Sequence, residues 1–291
     1  MMIGVVRTDK WLNHYKGEWA NQITLQQKQQ WHQKMLIAPL QPLFNNAEFS
    51  LQGHLIHLGL ISPQEDCEKV TKHFIEHHYW AIISEHFHSL KKKWKAPDIP
   101  IYILPASSNQ ETIKELGGKN GLTIDNAIIL FLDEGLSDAE LKAMITHEFH
   151  HRFRLFITKE KEESISLLES MVMEGLAELA VQKEVGEKYI AIWTNMYNIK
   201  EMIPLFQQWI EPHLFTKGRG RHLHYLYGGG MNDVPRWLGY CCGYHIVQSA
   251  LRHFKGRSIE ELTTIKSVDW LKASCFYNYV RGRKDGTRKF I

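Results

Sequence analysis

Residues 137–156 of the chain read SDAELKAMITHEFHHRFRLF, and this segment is the most informative about the fold. Ser137 is followed three positions later by Glu140, which is a capping box: the hydroxyl and the carboxylate each accept a backbone N–H that the helix leaves without a partner at its start. Apolar side chains then recur at helical spacing, which indicates that one face of this helix packs in a core. These side chains are Leu141, Met144, Ile145, Phe149, Phe153 and Phe156.

The same helix carries two histidines four residues apart, His147 and His151. At about 3.6 residues per turn, this spacing brings both imidazoles to one side of the helix, where they can bind one metal ion. Glu148 follows the first histidine, so its carboxylate points beside the ion rather than at it. A general base that accepts a proton from water must occupy that position, and the pattern therefore predicts a catalytic zinc site with Glu148 as the base.

The chain contains 17 histidines, so a histidine pair at this spacing has a second interpretation. It would then belong to an amphipathic helix whose histidines are buried and hydrogen-bonded. His150 breaks the four-residue spacing, and we expect it to be a structural histidine of this kind.

A second apolar segment, residues 170–182, contains only two charged side chains, Glu174 and Glu178. Burying two carboxylates is costly unless a positive charge meets them, and a zinc ion supplies that charge. Catalytic zinc takes three protein ligands and leaves a fourth position for water, so we predict Glu174 as the third ligand and one zinc ion per chain. Glu178 is predicted to accept the outer N–H of a ligand imidazole and to fix its orientation.

Other interpretations of these carboxylates stay open. Glu169 is an alternative ligand, although we expect it on the outer face of its helix. Glu174 and Glu178 could also pair with cationic side chains instead of a metal. The candidate cations are Arg152, Arg154 and Lys183.

When water activated at such a site attacks a carbonyl group, negative charge develops on the carbonyl oxygen, and a hydrogen-bond donor is needed to stabilise this oxyanion. Two tyrosines are predicted as candidates for this catalytic role. Tyr240 and Tyr244 flank Gly239 and Gly243, whose spacing predicts a helix that packs closely on another helix. The alternative is that both tyrosines are buried packing residues with hydrogen-bonded hydroxyl groups.

Strands are predicted at residues 101–104 and 127–132, and the glycine-rich residues 117–121 are expected to form a turn. The run at 127–132 is continuously apolar, which predicts a strand that is buried on both sides or lies at the edge of a cleft. We expect it to form the wall of a cleft and to offer an exposed edge with which an extended chain can pair, and the alternative is a central strand with both edges covered. The predicted substrate-binding residues are Ile128, Ile129 and Leu130.

Strands come first and helices follow, which predicts the α+β class rather than alternating βαβ units. We expect a small mixed sheet beside the HExxH helix, a mainly helical C-terminal part and an N-terminal helical extension. The predicted division is a mainly helical region at residues 1–96 and a domain that carries the predicted zinc site at residues 97–291, although the two could form one continuous domain.

The composition excludes several classes of protein. With 44% hydrophobic and 23% charged residues, the chain of 291 residues is neither disordered nor fibrous. The basic and acidic residues nearly balance, and the resulting net charge of +3 is too small to imply a nucleic-acid partner, although basic clusters occur at residues 91–95, 217–221 and 281–289.

No apolar run approaches the ~20 residues of a membrane span, and the start lacks the apolar segment of a signal peptide, so we expect no stable membrane association. Four cysteines without CxxC spacing fit a reduced, cytoplasmic protein.

The order of a strand, an HExxH helix and a second helix bearing glutamate resembles the gluzincin metallopeptidases. The segment EGLAE at 174–178 looks like the glutamate segment of the aminopeptidase N group, whose first glutamate binds zinc. More closely, the chain resembles the YjaZ-type family of predicted zinc-dependent proteases of Bacillus-like bacteria, most densely from about residue 100 to 255. The shared motifs are VVRTDKWL at 5–12, HEFHHR at 147–152, MEGLAE at 173–178 and the Gly-Tyr pairs at 239–240 and 243–244.

This resemblance implies a zincin-like fold, zinc as the cofactor and a peptide or protein substrate. The gap of 22 residues between His151 and Glu174 is a little longer than in thermolysin-like enzymes. The aminopeptidase signature Gly-x-Met-x-Asn is absent from the sequence, so an endopeptidase or oligopeptidase is expected. The alternative function is a non-catalytic zinc-binding regulator or scaffold, but structural zinc sites are normally closed by four ligands and rich in cysteine, and no cysteine lies near this motif.

Overall fold

A computed structural model describes residues 4–44, 50–161, 163–229 and 233–280. The basic cluster at residues 281–289 therefore lies outside the described residues. The chain forms two compact units, residues 1–149 and 150–291, and the boundary between them falls inside one long helix. The division near residue 97 stays a prediction.

In the first unit, helices come first and strands follow. The helices are α1 (Thr8–Trp19), α2 (Leu25–His32), α3 (Leu51–His57), α4 (Glu68–Glu76), α5 (Tyr79–Trp94) and α6 (Glu111–Glu115). The strands are β1 (Ile101–Pro105), β2 (Lys119–Ile124) and β3 (Ala127–Leu132), and α6 lies between β1 and β2.

The sheet has the strand order β1–β3–β2, with β3 parallel to β1 and antiparallel to β2. The two-residue connection Asp125-Asn126 joins β2 to β3, so Ile124 lies opposite Ala127 and Gly121 lies opposite Leu130. Asp and Asn suit tight turns because their short polar side chains bond to nearby backbone groups.

The prediction that residues 127–132 expose an edge to substrate is wrong. β3 is the central strand and all six of its residues are buried, so β1 and β2 take up the backbone groups of Ile128, Ile129 and Leu130. The physical reason is that a continuous apolar run is typical of a strand covered on both faces, whereas an edge strand carries polar residues. β2, with the sequence KNGLTI, is one of the two edge strands, and no strand of the described residues pairs with its outer side.

The second unit is helical in the part that the structure describes. The long helix α7 (Asp138–Thr158) spans the boundary and leads into it, and the mixture of a small sheet with these helices confirms the α+β class. Within the described ranges, no helix combines the length and the apolar character needed to cross a membrane. The helices that follow α7 are α8 (Leu167–Glu184), α9 (Ile199–Leu205), α10 (Arg219–Tyr227), α11 (Leu238–Ala250), α12 (Ile259–Thr263) and α13 (Ser267–Ala273).

Helices α8 and α11 pack so closely that glycine is required where they cross. A Cβ atom built on Gly243 would lie 2.6 Å from the carbonyl carbon of Met171 in α8. One built on Gly175 would lie 2.7 Å from the carbonyl carbon of Gly243. Gly239 meets the backbone of α10 in the same way. The predicted close packing through Gly239 and Gly243 is therefore confirmed.

Replacing Gly243 with alanine is expected to destabilise the chain. The added methyl group would overlap the backbone of Met171, which cannot rotate away, so the two helices must separate. Overpacking of this kind typically costs about 1–3 kcal/mol and occasionally more, and thermal unfolding would show it as a lower Tm. Gly17→Ala in α1 is the matched control, because a Cβ atom there meets nothing within 4 Å. A Tm of Gly243→Ala at or above that of the unmodified chain would contradict the close crossing.

Candidate metal centre

Helix α7 carries both predicted ligand histidines on consecutive turns. Its start is closed by the predicted capping box: the Ser137 N–H donates to Glu140 Oε2 at 2.9 Å, and the Glu140 N–H donates to the Ser137 hydroxyl at 3.4 Å. The helix then continues without a break to Thr158. Because the helix is continuous, the relative placement of His147 and His151 follows from their spacing alone.

Glu174 joins the two histidines from helix α8. One ring nitrogen of each histidine and one carboxylate oxygen of Glu174 all lie within 4.8 Å of one another. His151 Nε2 is 3.3 Å from Glu174 Oε2, and both side chains are buried. His147, His151 and Glu174 are the three ligands predicted from the sequence. Across the residues that the structure describes, no second group of His, Cys, Asp or Glu side chains meets in this way.

The donor set of this group fits a zinc ion. Two imidazoles and one carboxylate are a common ligand set of catalytic zinc, and bonds of about 2.0–2.2 Å in a tetrahedral arrangement put ligand atoms about 3.3–3.6 Å apart. The 3.3 Å between His151 and Glu174 agrees with that separation. Glu174 is only 1% exposed, and a carboxylate buried to this extent needs a positive charge close to it.

The buried cation Arg154 pairs with a different carboxylate. It donates to both oxygens of Glu169, at 2.7 and 3.1 Å, and to the carbonyl oxygens of Thr263 and Ile265. The prediction that Glu169 lies on the outer helix face is wrong, since Glu169 is buried and Arg154 neutralises it. Glu169 is thus one half of a buried ion pair rather than a ligand.

His150 is the structural histidine that the sequence predicted. Its side chain is fully buried, and its Nε2 is 3.0 Å from the hydroxyl oxygen of Thr263 in α12. That hydroxyl donates its own proton to the Ile259 carbonyl oxygen at 2.7 Å, so the threonine oxygen accepts a hydrogen bond from His150 Nε2–H. His150 therefore stabilises the packing of α12 and does not belong to the ligand group.

Glu148 lies beside the ligand group and outside it. Its side chain is 5% exposed, and Oε2 accepts a hydrogen bond of 2.6 Å from the Thr123 hydroxyl in β2. The carboxylate also occupies the space over Gly121, where a built Cβ atom would lie 2.5 Å from Glu148 Cγ. Strand β2 thus positions Glu148 through a donor on Thr123 and through the missing side chain of Gly121. The sequence analysis did not identify Thr123 or Gly121 as functional residues, because no local pattern links a glycine-containing strand to a glutamate on a later helix.

Tyr240 is buried in α11, within range of the charge of Glu174. Burial first, and the charge of Glu174 after it, raise the pKa of the Tyr240 hydroxyl well above its ordinary value. The hydroxyl therefore stays protonated at neutral pH and can donate a hydrogen bond. Its ring is held by three aromatic neighbours, with centroid separations between 5.1 and 5.3 Å. These neighbours are Trp193, Tyr227 and Trp237.

Glu178 and Tyr244 lie one helical turn after Glu174 and Tyr240 respectively, and both are buried. Glu178 Oε2 accepts the Ala191 backbone N–H at 2.7 Å, a contact that ties α8 to the segment following it. Burial raises the pKa of the Tyr244 hydroxyl, with a further contribution from nearby carboxylates that include Glu178. The hydrogen bond from a ligand imidazole to Glu178 stays a prediction.

Arg219, the first residue of α10, brings a positive charge to the carboxylate of Glu174. Its Nη2 lies 4.0 Å from Glu174 Oε1, and its side chain is 23% exposed. The charge of Arg219 also acts on Tyr240, where it partly offsets the rise in pKa. The sequence places Arg219 only within a basic cluster, and no pattern in that cluster points to a ligand on another helix.

Comparison with known proteins supports the interpretation of these motifs. Residues 79–272, which include all of α7 and α8, match the family model described as "Predicted Zn-dependent protease (DUF2268)". The uncharacterized protein YjaZ of Bacillus subtilis (strain 168) is 33% identical over 228 residues, which cover 76% of this chain and 87% of YjaZ. The uncharacterized protein YjfC of the same bacterium is 29% identical over 117 residues, which cover 38% of this chain and 39% of YjfC.

No solved structure matches the chain with significance. The family model covers well over half of the chain, and the similarity to YjaZ runs through most of both sequences. The resemblance stated from the sequence motifs is thereby confirmed. This chain belongs to the family of predicted Zn-dependent proteases that includes the YjaZ-type proteins.

Proposed function

We propose that this chain is a zinc-dependent metallopeptidase of the gluzincin type, with a zincin-like fold. The observation that carries the proposal is the convergence of the three ligand side chains, with the Glu148 carboxylate beside them. The family description supports the same chemistry. A purely structural zinc site would be closed by a fourth protein ligand, whereas Glu148 hydrogen-bonds to Thr123 instead.

The residues divide the reaction between them. His147, His151 and Glu174 would hold the zinc ion, which would supply Lewis-acid chemistry for the hydrolysis of a peptide bond by water. Glu148 accepts a proton from this water at its carboxylate and delivers it to the nitrogen of the departing amine. The hydrogen bond from Thr123 to Oε2 keeps the carboxylate in one orientation throughout.

Tyr240 is proposed as the donor that stabilises the oxyanion. Its hydroxyl keeps its proton at neutral pH, and it lies near enough to Glu174 for that charge to raise its pKa. Losing one such donor typically costs about 10²–10³ in rate. Tyr244 is the second candidate for this role, and Glu178 is proposed to orient a ligand imidazole.

The substrate is proposed to bind along β2, which takes the place of the edge first assigned to β3. The Gly121 N–H donates to the Asn120 side chain at 2.9 Å rather than to β3, so the backbone groups of Gly121 and Thr123 face outward from the sheet. An extended peptide can pair with such an edge through its backbone. Because the same two residues position Glu148, a peptide bound along this edge would lie beside the general base.

Gly121→Ala is expected to keep the zinc ion and to lower kcat about 100-fold. The methyl group would take the space of the Glu148 carboxylate, and a displacement of about 1 Å in a catalytic group typically costs about 10²-fold in rate. Zinc content, circular dichroism and kcat on a peptide substrate check this prediction. Gly17→Ala again serves as the control, and an undiminished kcat in Gly121→Ala would show that β2 does not position the base.

Metal removal tests the proposal as a whole. Dialysis against 1,10-phenanthroline is expected to reduce zinc from one ion per chain to near zero and to abolish hydrolysis of casein or a peptide library. Added zinc should restore the hydrolytic activity. Added magnesium should not, because magnesium prefers oxygen ligands in octahedral geometry. Hydrolysis that continues without zinc would overturn the proposal. One zinc per chain with no cleavage of any peptide would favour the non-catalytic alternative.

A further inference from the structure

Ser170 and His222 are two buried polar side chains of the second unit that have no part in the mechanism above. Ser170 is 1% exposed, His222 is completely buried, and Ser170 Oγ lies 2.9 Å from His222 Nε2. We propose that they are positioning residues, whose hydrogen bond holds Arg219 against Glu174 and so strengthens zinc binding at the ligand group. The inference rests on the proposed zinc site, and it concerns binding of the metal rather than cleavage of a peptide.

The neighbours of His222 determine where its proton lies. His222 Nδ1 is 3.1 Å from the carbonyl oxygen of Thr216, which can only accept a hydrogen bond, so Nδ1 carries the proton. Burial lowers the pKa of the imidazole, and the charges of Arg219 and His224 act in the same direction, so the ring is neutral at pH 7. Nε2 then offers a lone pair, and the Ser170 hydroxyl donates to it. Two hydrogen bonds therefore run in one direction, from Ser170 through His222 to Thr216.

These two hydrogen bonds join three segments of the second unit. Ser170 belongs to α8, His222 belongs to α10, and Thr216 lies in the segment that leads into α10. The carbonyl oxygen of Thr216 also accepts the Leu167 N–H at 3.0 Å, at the first residue of α8. The start of α10 is thus held on α8 by one backbone hydrogen bond and by the buried side chains of Ser170 and His222.

The contact between Ser170 and His222 lies one turn away from the contact between Glu174 and Arg219. Glu174 follows Ser170 by four residues in α8, and Arg219 precedes His222 by three residues in α10. Residues three or four apart are neighbours on one face of a helix, so the same faces of α8 and α10 carry both contacts. If the first contact is lost, the first turn of α10 can move away from α8, and Arg219 moves with it.

Arg219 meets the oxygen of Glu174 that does not face His151. Its Nη2 is 4.0 Å from Oε1, whereas Oε2 is 3.3 Å from His151 Nε2. The charge of Arg219 attracts Oε1 and so keeps Oε2 turned towards His151. Removing a group that orients a metal ligand typically weakens metal binding about 10–100-fold. The position of α10 is therefore expected to act on the affinity for zinc through Glu174.

Zinc dissociation constants of the full chain, measured by competition with a chromogenic chelator, test this inference. Ser170→Ala removes the donor and is expected to weaken zinc binding about tenfold or more. His222→Asn removes the acceptor at Nε2, while its amide can still donate to Thr216, and it should have a similar effect. Arg219→Gln should also weaken zinc binding. Adding Ser170→Ala to Arg219→Gln should cause no further loss, because the serine acts through the arginine.

A serine with a similar environment provides the matched control. Ser274 is also buried in the second unit, and its hydroxyl donates to the Leu271 carbonyl oxygen at 2.7 Å. Ser274→Ala should lower the Tm of the metal-free chain and leave the zinc affinity unchanged. Ser170→Thr keeps a hydroxyl group at the first position and should retain the zinc affinity of the unmodified chain.

Unchanged zinc affinity in Ser170→Ala or His222→Asn, with folding verified by circular dichroism, would overturn the inference. Additive losses in the double variant would also overturn it, because the pair would then act on packing and not through Arg219. An equal loss of zinc affinity in Ser274→Ala would have the same consequence. Failure of the unmodified chain to bind zinc would overturn the metal centre together with this inference. Zinc binding without peptide cleavage would count against the peptidase proposal alone.

Discussion

Glutamine in place of Glu148 is expected to leave one zinc ion per chain and to slow peptide hydrolysis about 10²–10⁴-fold. Glutamine has nearly the same shape, and its amide oxygen can keep the hydrogen bond from the Thr123 hydroxyl, so the ligand group stays in place. The amide cannot accept a proton from water, which is the step assigned to the carboxylate. Measurements of kcat on a peptide substrate and of zinc by atomic absorption separate the two effects.

A matched control makes the same chemical change away from the ligand group. Glu160→Gln alters an exposed residue just after α7 and should change neither zinc content nor kcat. Loss of zinc in Glu148→Gln would mean that Glu148 is a ligand and that the HExxH motif was misinterpreted. Indistinguishable turnover in the unmodified and Glu148→Gln chains would favour a zinc site without a catalytic role.

The parts of the site that lie on one helix could be predicted because the signals are local. A capping box and a four-residue histidine spacing are properties of a single helix, and α7 bears out both. The third proposed ligand could also be identified, because a carboxylate in an otherwise apolar helix needs a positive charge wherever that helix packs. Glu174 meets that condition beside His151. Helical periodicity and charge burial act within a few residues, so they can be recognised in one sequence.

The strand that contacts Glu148 could not be predicted in the same way. Residues 117–121 were expected to form a turn, but only Gly117 and Gly118 have the positive φ of one, and β2 begins at Lys119. Strand order depends on pairing between distant residues, and a polar, glycine-containing edge strand looks like a loop until its partner is known. Gly121 weakens the strand pattern of β2, and the same residue makes room for the side chain of Glu148. Sequence rules commonly fail where function requires an unfavourable residue.

His147→Ala and His151→Ala are each expected to abolish stoichiometric zinc binding, the largest effect on the metal that a single substitution should produce. Zinc sites in small proteins bind with about 10–16 kcal/mol, so losing one of three protein ligands corresponds to about 10²–10⁴-fold weaker binding. The remaining histidine and Glu174 would then compete poorly with water and buffer for the ion. Zinc per chain after gel filtration, and a competition titration with a chromogenic chelator, measure the loss.

His150 provides the internal control for both substitutions, because it lies on the same helix between the two ligands. His150→Gln keeps a donor for the Thr263 hydroxyl and should retain one zinc ion, and it is expected to lower the Tm because the ring is completely buried. Thermal unfolding of the metal-free chains therefore accompanies the zinc measurements. Full zinc in either His147→Ala or His151→Ala would refute the ligand assignment. Loss of zinc from His150→Gln at an unchanged Tm would shift that assignment to His150. Replacing a metal ligand lowers the affinity for zinc and leaves the stability of the metal-free chain unchanged, whereas replacing a packing residue lowers that stability.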